Sequence, residues 1–168
     1  MLYFDETQSP LGTLRIVASD AGLHAVLWSS DNDTQRVRLP GTQRRNPDHP
    51  VIAATRQQLQ EYFARQRTRF ELPLAPTGTP FQLRAWKILE SIPYGQTRSY
   101  EEQAIRLGNP KACRAVGAAN GKNPISIIVP CHRVIGKRGG LTGFAGGLIV
   151  KADLLTLEAG EAGQVTAS

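Results

Sequence analysis

Apolar and polar residues alternate through the amino-terminal part of the chain, a pattern typical of β-strands. Residues 13–28, TLRIVASDAGLHAVLW, alternate on both sides of Asp20-Ala21-Gly22, which predicts an antiparallel hairpin around that turn. The first forty residues as a whole are expected to contain strands. Residues 31–50 are polar and rich in turn-forming residues, so we expect a surface loop there.

Helical spacing replaces this alternation further along the chain. From Val51 to Phe63 the apolar residues recur with the period of a helix, which predicts a helix covering one face of the sheet. Residues 71–80, ELPLAPTGTP, contain three prolines and a glycine and interrupt the pattern. Such a segment is typical of a link between domains, so we place a boundary near residue 77. We therefore expect one domain over residues 1–77, a second over residues 78–160, and a tail over residues 161–168.

Two short helices joined by a tight turn are predicted in the second domain. Ser99 and Glu102 have the spacing of a capping box and open a helix that stops at Gly108. Asn109-Pro110 is expected to cap a further helix over residues 111–121. This arrangement is the outline of a helix-turn-helix, in which residues 111–121 would form the recognition helix.

Other elements are predicted on either side of this motif. Thr79-Pro80 is an N-cap followed by a first-turn proline, which opens a helix. Residues 126–130, SIIVP, form an apolar, β-branched run that predicts a buried strand. Residues 137–140, KRGG, are expected to form a turn, and residues 143–148 a glycine-rich loop. A final helix is predicted over residues 151–158.

The net charge of +6 is concentrated in one part of the chain. Residues 79–151 hold eleven Lys/Arg against three Asp/Glu, a net charge of +8. Residues 1–78 hold nine against eight, and residues 152–168 hold none against three. A polyanion such as nucleic acid is a reasonable partner for the basic segment, although a basic surface without a partner fits equally well.

Several classes of protein are disfavoured by composition. The chain has no run of eighteen apolar residues, so no membrane span is expected. Its beginning lacks a basic segment followed by an apolar stretch, so we expect no secretory signal. Two cysteines are too few for a disulfide framework, which predicts a reducing, cytoplasmic setting. The cysteines and histidines show no paired ligand spacing, so neither a metal nor a cofactor is expected.

Cys131 and His132 are the first candidates for chemistry. A buried thiol reacts only after something takes its proton, and an imidazole is the usual agent. Since neighbouring residues of a strand point to opposite faces, proton relay through a water is favoured over a direct bond. The alternative is that Cys131 is a small core residue and His132 a hydrogen-bonded histidine at the end of a strand.

Arg114 is the second candidate, near the start of the predicted recognition helix. Small residues flank it on this helix, which would let the helix approach a partner closely. A long planar arginine could then insert or stack against that partner. Tight helix packing with Arg114 directed to solvent is the equally open alternative.

Together these residues form a pattern that resembles the O6-alkylguanine-DNA alkyltransferase family, in its compact bacterial form. The central match is PCHRV at residues 130–134, and four further stretches match in order. They are IPYGQTRSY at 92–100, GNPKACRAVGAANGKNPI at 108–125, TGFAGGL at 142–148 and KADLLTLEAG at 151–160. The resemblance covers about half of the chain, and the amino-terminal half matches only in outline.

The resemblance implies a fold, an activity and a partner. The fold is a small N-terminal ribonuclease-H-like α/β domain followed by a C-terminal winged-helix, or helix-turn-helix, DNA-binding domain. The activity is DNA repair by irreversible, stoichiometric transfer of an alkyl group from O6-alkylguanine to Cys131 after base flipping. The partner is double-stranded DNA carrying O6-alkylguanine, bound by a monomer; cooperative binding and activity on O4-alkylthymine stay open.

The resemblance also implies roles near the reacting atoms. Cys131 would accept the alkyl group, His132 would activate it through a water, and Glu158 would orient His132. Three further residues complete this set: Asn123 at the hinge before the reactive segment, and Tyr100 and Lys151 near the leaving guanine.

Contacts with DNA and with the alkyl group are implied in the same way. Arg114 would be a finger that fills the space of the flipped base. The other DNA-binding residues would be Lys111, Ala115 and Arg133, and the substrate pocket would be formed by Phe144, Ala145 and Gly146. Departures from the family pattern include Phe144 where a tyrosine is common, Cys113 where a small apolar residue is usual, and Asp153 where a larger apolar residue is usual.

Three other functions are compatible with parts of this pattern. A non-catalytic relative that binds alkylated DNA would lack the acceptor cysteine, which is present here. A cysteine hydrolase would use Cys131 with a histidine and would not need the basic recognition helix. A winged-helix regulator would prefer a DNA sequence, whereas repair of damage needs binding that is nearly independent of sequence.

Overall fold

The computed structural model describes residues 1–29, 36–136, 140, 144 and 146–160. These form two compact units, Met1–Thr77 with Pro124–Ser126, and Gly78–Asn123 with the described residues from Ile127 onward. The predictions for Ala145, for most of the KRGG turn and for the tail over residues 161–168 lie outside the described residues. No helix in the described part of the chain is long and apolar enough to cross a membrane.

The first unit is built on a four-stranded sheet. Its strands are β1 (Leu2–Ser9), β2 (Gly12–Ser19), β3 (Gly22–Trp28) and β4 (Gln43–Arg45), in the order β3-β2-β1-β4. Strands β2 and β3 are antiparallel, which confirms the predicted hairpin. The prediction of a loop throughout residues 31–50 is wrong at β4, because that short strand pairs in parallel with β1.

The helix predicted from the helical spacing packs on this sheet. Helix α1 (Pro50–Phe63) begins at a proline and is capped by His49, whose ring accepts a hydrogen bond from the Val51 amide. Its face with Ile52 and Leu59 is buried against β1 and β2. Residues 124–126 also belong to this unit and bond to the outer edge of β3.

The second unit contains the predicted helix-turn-helix. Helices α2 (Pro80–Leu89) and α3 (Tyr100–Arg106) both begin at capping boxes, and helix α4 (Cys113–Gly121) follows. Small and branched apolar residues form the core between them: Ala85, Ala104, Leu107, Val116 and Ala119. A buried amide pair, Gln103 and Asn120, ties α3 to α4 through two hydrogen bonds of 3.0 and 2.8 Å.

Helix α4 begins later than the sequence predicts. Asn109-Pro110 does not cap it, because the Asn109 side chain instead accepts a hydrogen bond from the Lys111 amide inside the turn. The N-cap position is Ala112, which has no capping side chain. The exposed start of α4 therefore has backbone amides that no side chain caps.

The predicted strand at SIIVP is absent, although most of its residues are buried. Ile127 has a φ of 72°, a left-handed conformation that a β-branched residue adopts only under strain, and it turns the chain out of an extended path. Cys131–Arg133 then forms a 3-10 helix rather than the end of a strand. The final helix, α5 (Leu148–Glu158), begins three residues earlier than expected.

Candidate active site around Cys131

Cys131 lies where two distant segments of the second unit are held side by side. It begins the 3-10 helix, and its side chain is partly exposed. Directly after this helix, β6 (Val134–Ile135) pairs in parallel with β5 (Arg98–Ser99), the strand that leads into Tyr100. This two-stranded sheet holds the backbone that follows the candidate nucleophile beside the segment that leads into Tyr100.

His132 and Glu158 form the predicted histidine–carboxylate contact. His132 is fully buried, and its Nε2 lies 2.6 Å from Oε2 of the buried Glu158. Gly95 allows the end of α5 to approach, since it has a φ of 79° and a Cβ there would lie 3.0 Å from the Glu158 carbonyl oxygen. The structure thus brings these two side chains together, while the role assigned to them stays a prediction.

Burial and neighbouring charges set the protonation states of this pair. Burial lowers the pKa of His132, and Arg133 and Lys151 lower it further, while Glu158 acts in the opposite direction. Burial acts to raise the pKa of Glu158, but His132 and Arg133 outweigh it and hold this pKa at about 2. At neutral pH the site therefore contains a neutral imidazole beside a carboxylate.

This assignment determines which ring nitrogen can act as a base. A carboxylate only accepts hydrogen bonds, so Nε2 of His132 must carry the ring hydrogen. Nδ1 is then the basic nitrogen, and it has no hydrogen-bond partner among the residues that the structure describes. The imidazole can accept a proton at Nδ1 while Glu158 stabilises the resulting charge at Nε2.

Arg133 does not have the position that was expected for a DNA contact. Its side chain is buried, with 6% of the residue exposed. The guanidinium donates to both carboxylate oxygens of Glu158, at 2.7 and 3.0 Å, and to the carbonyl oxygen of Ile92 at 2.6 Å. The prediction that Arg133 binds DNA is therefore corrected. An arginine within a segment predicted to be buried was a signal for such a partner, because a buried charge must be paired.

Lys151 reaches the same region from the first half of α5. It is almost fully buried, and its Nζ donates to the Val134 carbonyl oxygen at 2.7 Å. Burial lowers the pKa of Lys151, and the nearby Cys131 acts in the opposite direction. A lysine that interacts with the thiol in this way can stabilise a thiolate. The contact with Val134 was not foreseen, because it joins positions that no local pattern connects.

The burial and contacts of Asn123 and Tyr100 are compatible with their predicted roles. Asn123 is buried, and its side-chain amide donates to the Val129 carbonyl oxygen at 2.8 Å. This bond closes the turn that precedes Cys131. Tyr100 is half-buried and packs against the core between the helices.

The start of α4 presents an exposed, basic surface. Lys111, Arg114 and Ala115 are all exposed there. Arg114 is the second residue of the helix and is followed by small residues. Such a surface can approach a polyanion closely, so the position of Arg114 is compatible with a finger and equally with a solvated side chain.

The remaining predicted pocket residues lie just before α5. Phe144 and Gly146 are partly buried, and Gly147, with a φ of 93°, stands at the N-cap of α5. Ala145 lies outside the described residues. Among the described residues, no group of three or more His, Cys, Asp or Glu side chains could hold a metal ion.

Two family models together match nearly the whole chain. Residues 2–76 match the description "6-O-methylguanine DNA methyltransferase, ribonuclease-like domain". Residues 80–160 match the description "6-O-methylguanine DNA methyltransferase, DNA binding domain".

Individual relatives agree with these matches. A Bacillus subtilis protein named "Methylated-DNA--protein-cysteine methyltransferase, constitutive" is 46% identical over 94% of this chain and 96% of its own. A Methanosarcina barkeri protein named "Methylated-DNA--protein-cysteine methyltransferase" is 45% identical over 94% and 97% of the two chains. Among solved structures, that of Mycobacterium tuberculosis OGT in complex with DNA has a TM-score of 0.87, with 40% identity over 99% of each chain.

Proposed function

This chain belongs to the 6-O-methylguanine DNA methyltransferase family, and we propose that Cys131 is the cysteine to which it transfers the alkyl group. The protein is a methylated-DNA–protein-cysteine methyltransferase that repairs DNA by direct alkyl transfer, and DNA is its partner. The observation that supports Cys131 as acceptor is its position beside a buried imidazole whose Nδ1 is available as a base.

The transfer is a displacement at the alkyl carbon. Nδ1 of His132 takes the thiol proton, through a water, and the sulfur of Cys131 forms a bond to the alkyl carbon. The bond between that carbon and O6 breaks, and its electron pair stays on the guanine. The product is a thioether, which water does not hydrolyse, so each protein molecule reacts once.

The departing guanine develops negative charge, and two side chains are proposed to stabilise it. Tyr100 and Lys151 can donate hydrogen bonds or a proton to the purine as the carbon–oxygen bond breaks. The charge of Lys151 near Cys131 would also favour the thiolate before transfer. Phe144, Ala145 and Gly146 are proposed to line the pocket for the alkyl group.

Recognition of the damaged base is proposed to depend on the exposed start of α4. The O6 atom lies inside the base stack, so the nucleotide must be flipped out at a cost of about a few kcal/mol. Arg114 would enter the duplex and offset this cost by filling the vacated space. Lys111 and Ala115 would lie along the DNA backbone, and the net charge of +8 on residues 79–151 would provide attraction that is independent of sequence.

The setting is part of the same proposal. We expect the protein to act in the cytoplasm as a monomer on double-stranded DNA, without a bound cofactor. Two free cysteines, both partly exposed, are compatible with a reducing compartment.

The acceptor can be tested by following loss of O6-methylguanine from a duplex oligonucleotide. Cys131→Ser should not remove the methyl group from the duplex. It should still bind the duplex, because binding depends on α4 and its basic surface. Cys113→Ser is the matched control and should remove one methyl group per chain, as the wild type does. If Cys131→Ser still removed the methyl group, or if only Cys113→Ser failed, Cys131 would not be the acceptor.

The finger can be tested by comparing duplex DNA with free O6-benzylguanine, which needs no flipping. Arg114→Ala should slow transfer from duplex DNA at saturating protein and leave the reaction with the free base nearly unchanged. Lys111→Ala should instead weaken DNA binding and reduce its log–log salt slope by about one. Equal losses for Arg114→Ala on both substrates would mean that Arg114 supports the fold or the pocket rather than the flipped base.

A further inference from the structure

The guanidinium of Arg133 binds the Glu158 carboxylate through two of its nitrogens and a backbone carbonyl through the third. Nε donates to Oε1 at 2.7 Å, Nη2 donates to Oε2 at 3.0 Å, and Nη1 donates to the Ile92 carbonyl oxygen at 2.6 Å. This is a bidentate salt bridge whose arginine is also held by a backbone carbonyl. Arginine can form this geometry and lysine cannot. The carboxylate therefore has a fixed plane as well as a fixed position.

This salt bridge determines how Glu158 meets His132. Oε2 accepts from both Arg133 and His132, the latter at 2.6 Å, so one oxygen links the cation to the imidazole. All three side chains are buried, and water cannot replace a lost partner freely. A rotation of the carboxylate would consequently break the contact with Nε2 of His132.

Arg133 also affects the protonation state of His132, because it pairs with the same carboxylate. A buried carboxylate whose sole partner is an imidazole favours the imidazolium, which could no longer take a proton from Cys131. The charged groups that act on His132 are Glu158, Arg133 and Lys151, and the two cations lower the pKa of His132. With Arg133 in place, Glu158 stays ionised without converting His132 into its charged form.

We infer that Arg133 is a positioning residue for alkyl transfer, which orients Glu158 so that His132 keeps its hydrogen on Nε2 and presents Nδ1 as the base. This inference rests on the proposed role of Cys131 and His132, and it gives Arg133 a role inside the site instead of the predicted contact with DNA. The guanidinium carbon of Arg133 also lies over the ring of Tyr94, 5.7 Å from the ring centroid.

The first test needs no substitution. In ¹⁵N NMR spectra of the wild-type protein at pH 7, His132 should be a neutral imidazole with its hydrogen on Nε2. A hydrogen on Nδ1, or an imidazolium, would overturn the inference even if no variant of Arg133 folds.

The second test compares variants that keep or remove the charge. Arg133→Lys and Arg133→Met should each slow the reaction with free O6-benzylguanine by about 10- to 100-fold, the effect typical of losing an orienting partner. Arg133→Met should also raise the pKa of His132 in the NMR titration, since a neighbouring cation is lost. Arg84→Lys is the control, because Arg84 donates to the Leu107 carbonyl oxygen and pairs with no carboxylate in the described part of the chain, and it should react like wild type.

A double-variant comparison separates orientation from general structural support. If Arg133 acts through Glu158, Arg133→Lys should add little to the loss already caused by Glu158→Gln. Two results would overturn the inference. The rate losses of the two single variants could multiply in the double variant, or Arg133→Lys could keep the wild-type rate and the wild-type His132 tautomer. Failure of the proposed function would look different, because the wild-type protein itself would then gain no alkyl group on Cys131.

Discussion

Replacing Glu158 by glutamine should remove a large, pH-dependent part of the stability of the second unit. In the folded protein the pKa of Glu158 is about 2, against an ordinary value of 4.5. A difference of this size corresponds to about 3 kcal/mol of free energy of unfolding. Breaking a buried ion pair by removing one partner has a similar cost of about 3 to 5 kcal/mol, so both approaches give the same magnitude.

The pH dependence follows from the direction of the pKa difference. Because the folded chain holds the Glu158 carboxylate more strongly ionised than the unfolded chain does, its contribution is fully present above pH 4.5. The contribution is lost as the pH falls toward about 2. The gap in stability between wild type and Glu158→Gln should therefore be widest near pH 7 and should narrow below pH 4.5.

Urea unfolding can measure this gap in the second unit alone. In a Trp28→Phe background, the fluorescence of buried Trp86 reports on the unit that contains the site. A loss of about 3 kcal/mol should lower the urea midpoint by about 1 to 3 M at pH 7. Glu90→Gln is the matched control, since Glu90 pairs with an exposed lysine at 3.9 Å and should cost at most about 1 kcal/mol.

Two results would refute this reasoning. Glu158→Gln could shift the midpoint no more than Glu90→Gln does at pH 7, which would mean that the buried pair contributes little. Alternatively, the gap could be as wide at pH 3 as at pH 7, which would mean that the ionised carboxylate is not its source.

Three further substitutions test other parts of the structure. Asp153→Asn should raise the urea midpoint at pH 7 and have less effect near pH 3, because burial raises the pKa of Asp153 and its Oδ1 has no partner among the described residues. Asn123→Ala should lower the free energy of unfolding by about 0.5 to 1.5 kcal/mol and slow transfer, since it removes the side-chain hydrogen bond to the buried Val129 carbonyl oxygen, which keeps the bond from the Cys131 amide; equal transfer rates would contradict this. Trp86→Phe should cost at least about 1 kcal/mol in thermal unfolding through loss of its bond to the Ala119 carbonyl oxygen, and an unchanged melting temperature would contradict this.

Much of the fold could be predicted because the signals for it are local. The hairpin around Asp20-Ala21-Gly22 and the capping box of Ser99 and Glu102 depend on residues a few positions apart, and both are confirmed. The two-domain fold class and the repair activity were inferred from the PCHRV resemblance, and both agree with the family matches. Short-range patterns and a family motif were thus sufficient for the architecture.

The segment before Cys131 shows why the rest could not be predicted. A run of β-branched residues favours a strand, yet Ile127 takes a left-handed conformation there. The Asn123 side chain bonds to the Val129 carbonyl oxygen across this turn, and Ile125, just before it, pairs with the distant Val26. Tertiary contacts outweigh local propensity at this point, and no periodicity reports them.

Arg133 was misassigned for a related reason. The family resemblance assigned it to DNA binding, whereas its partner Glu158 lies on α5. Sequence spacing does not reveal a pair that forms only when α5 packs against the 3-10 helix. The residues of the candidate site could be predicted from the sequence. The contacts among the carboxylate, the guanidinium and the imidazole could not, because they depend on how distant segments pack in the folded chain.

The mass of the intact protein after reaction with a duplex containing O6-methylguanine tests the central proposal most directly. With excess substrate, each chain should gain one methyl group and no more, and peptide mapping should locate it on Cys131 while Cys113 stays unmodified. Methyl loss from the DNA without a gain in protein mass, a second methyl group per chain, or a methyl group on Cys113 alone would contradict transfer to Cys131.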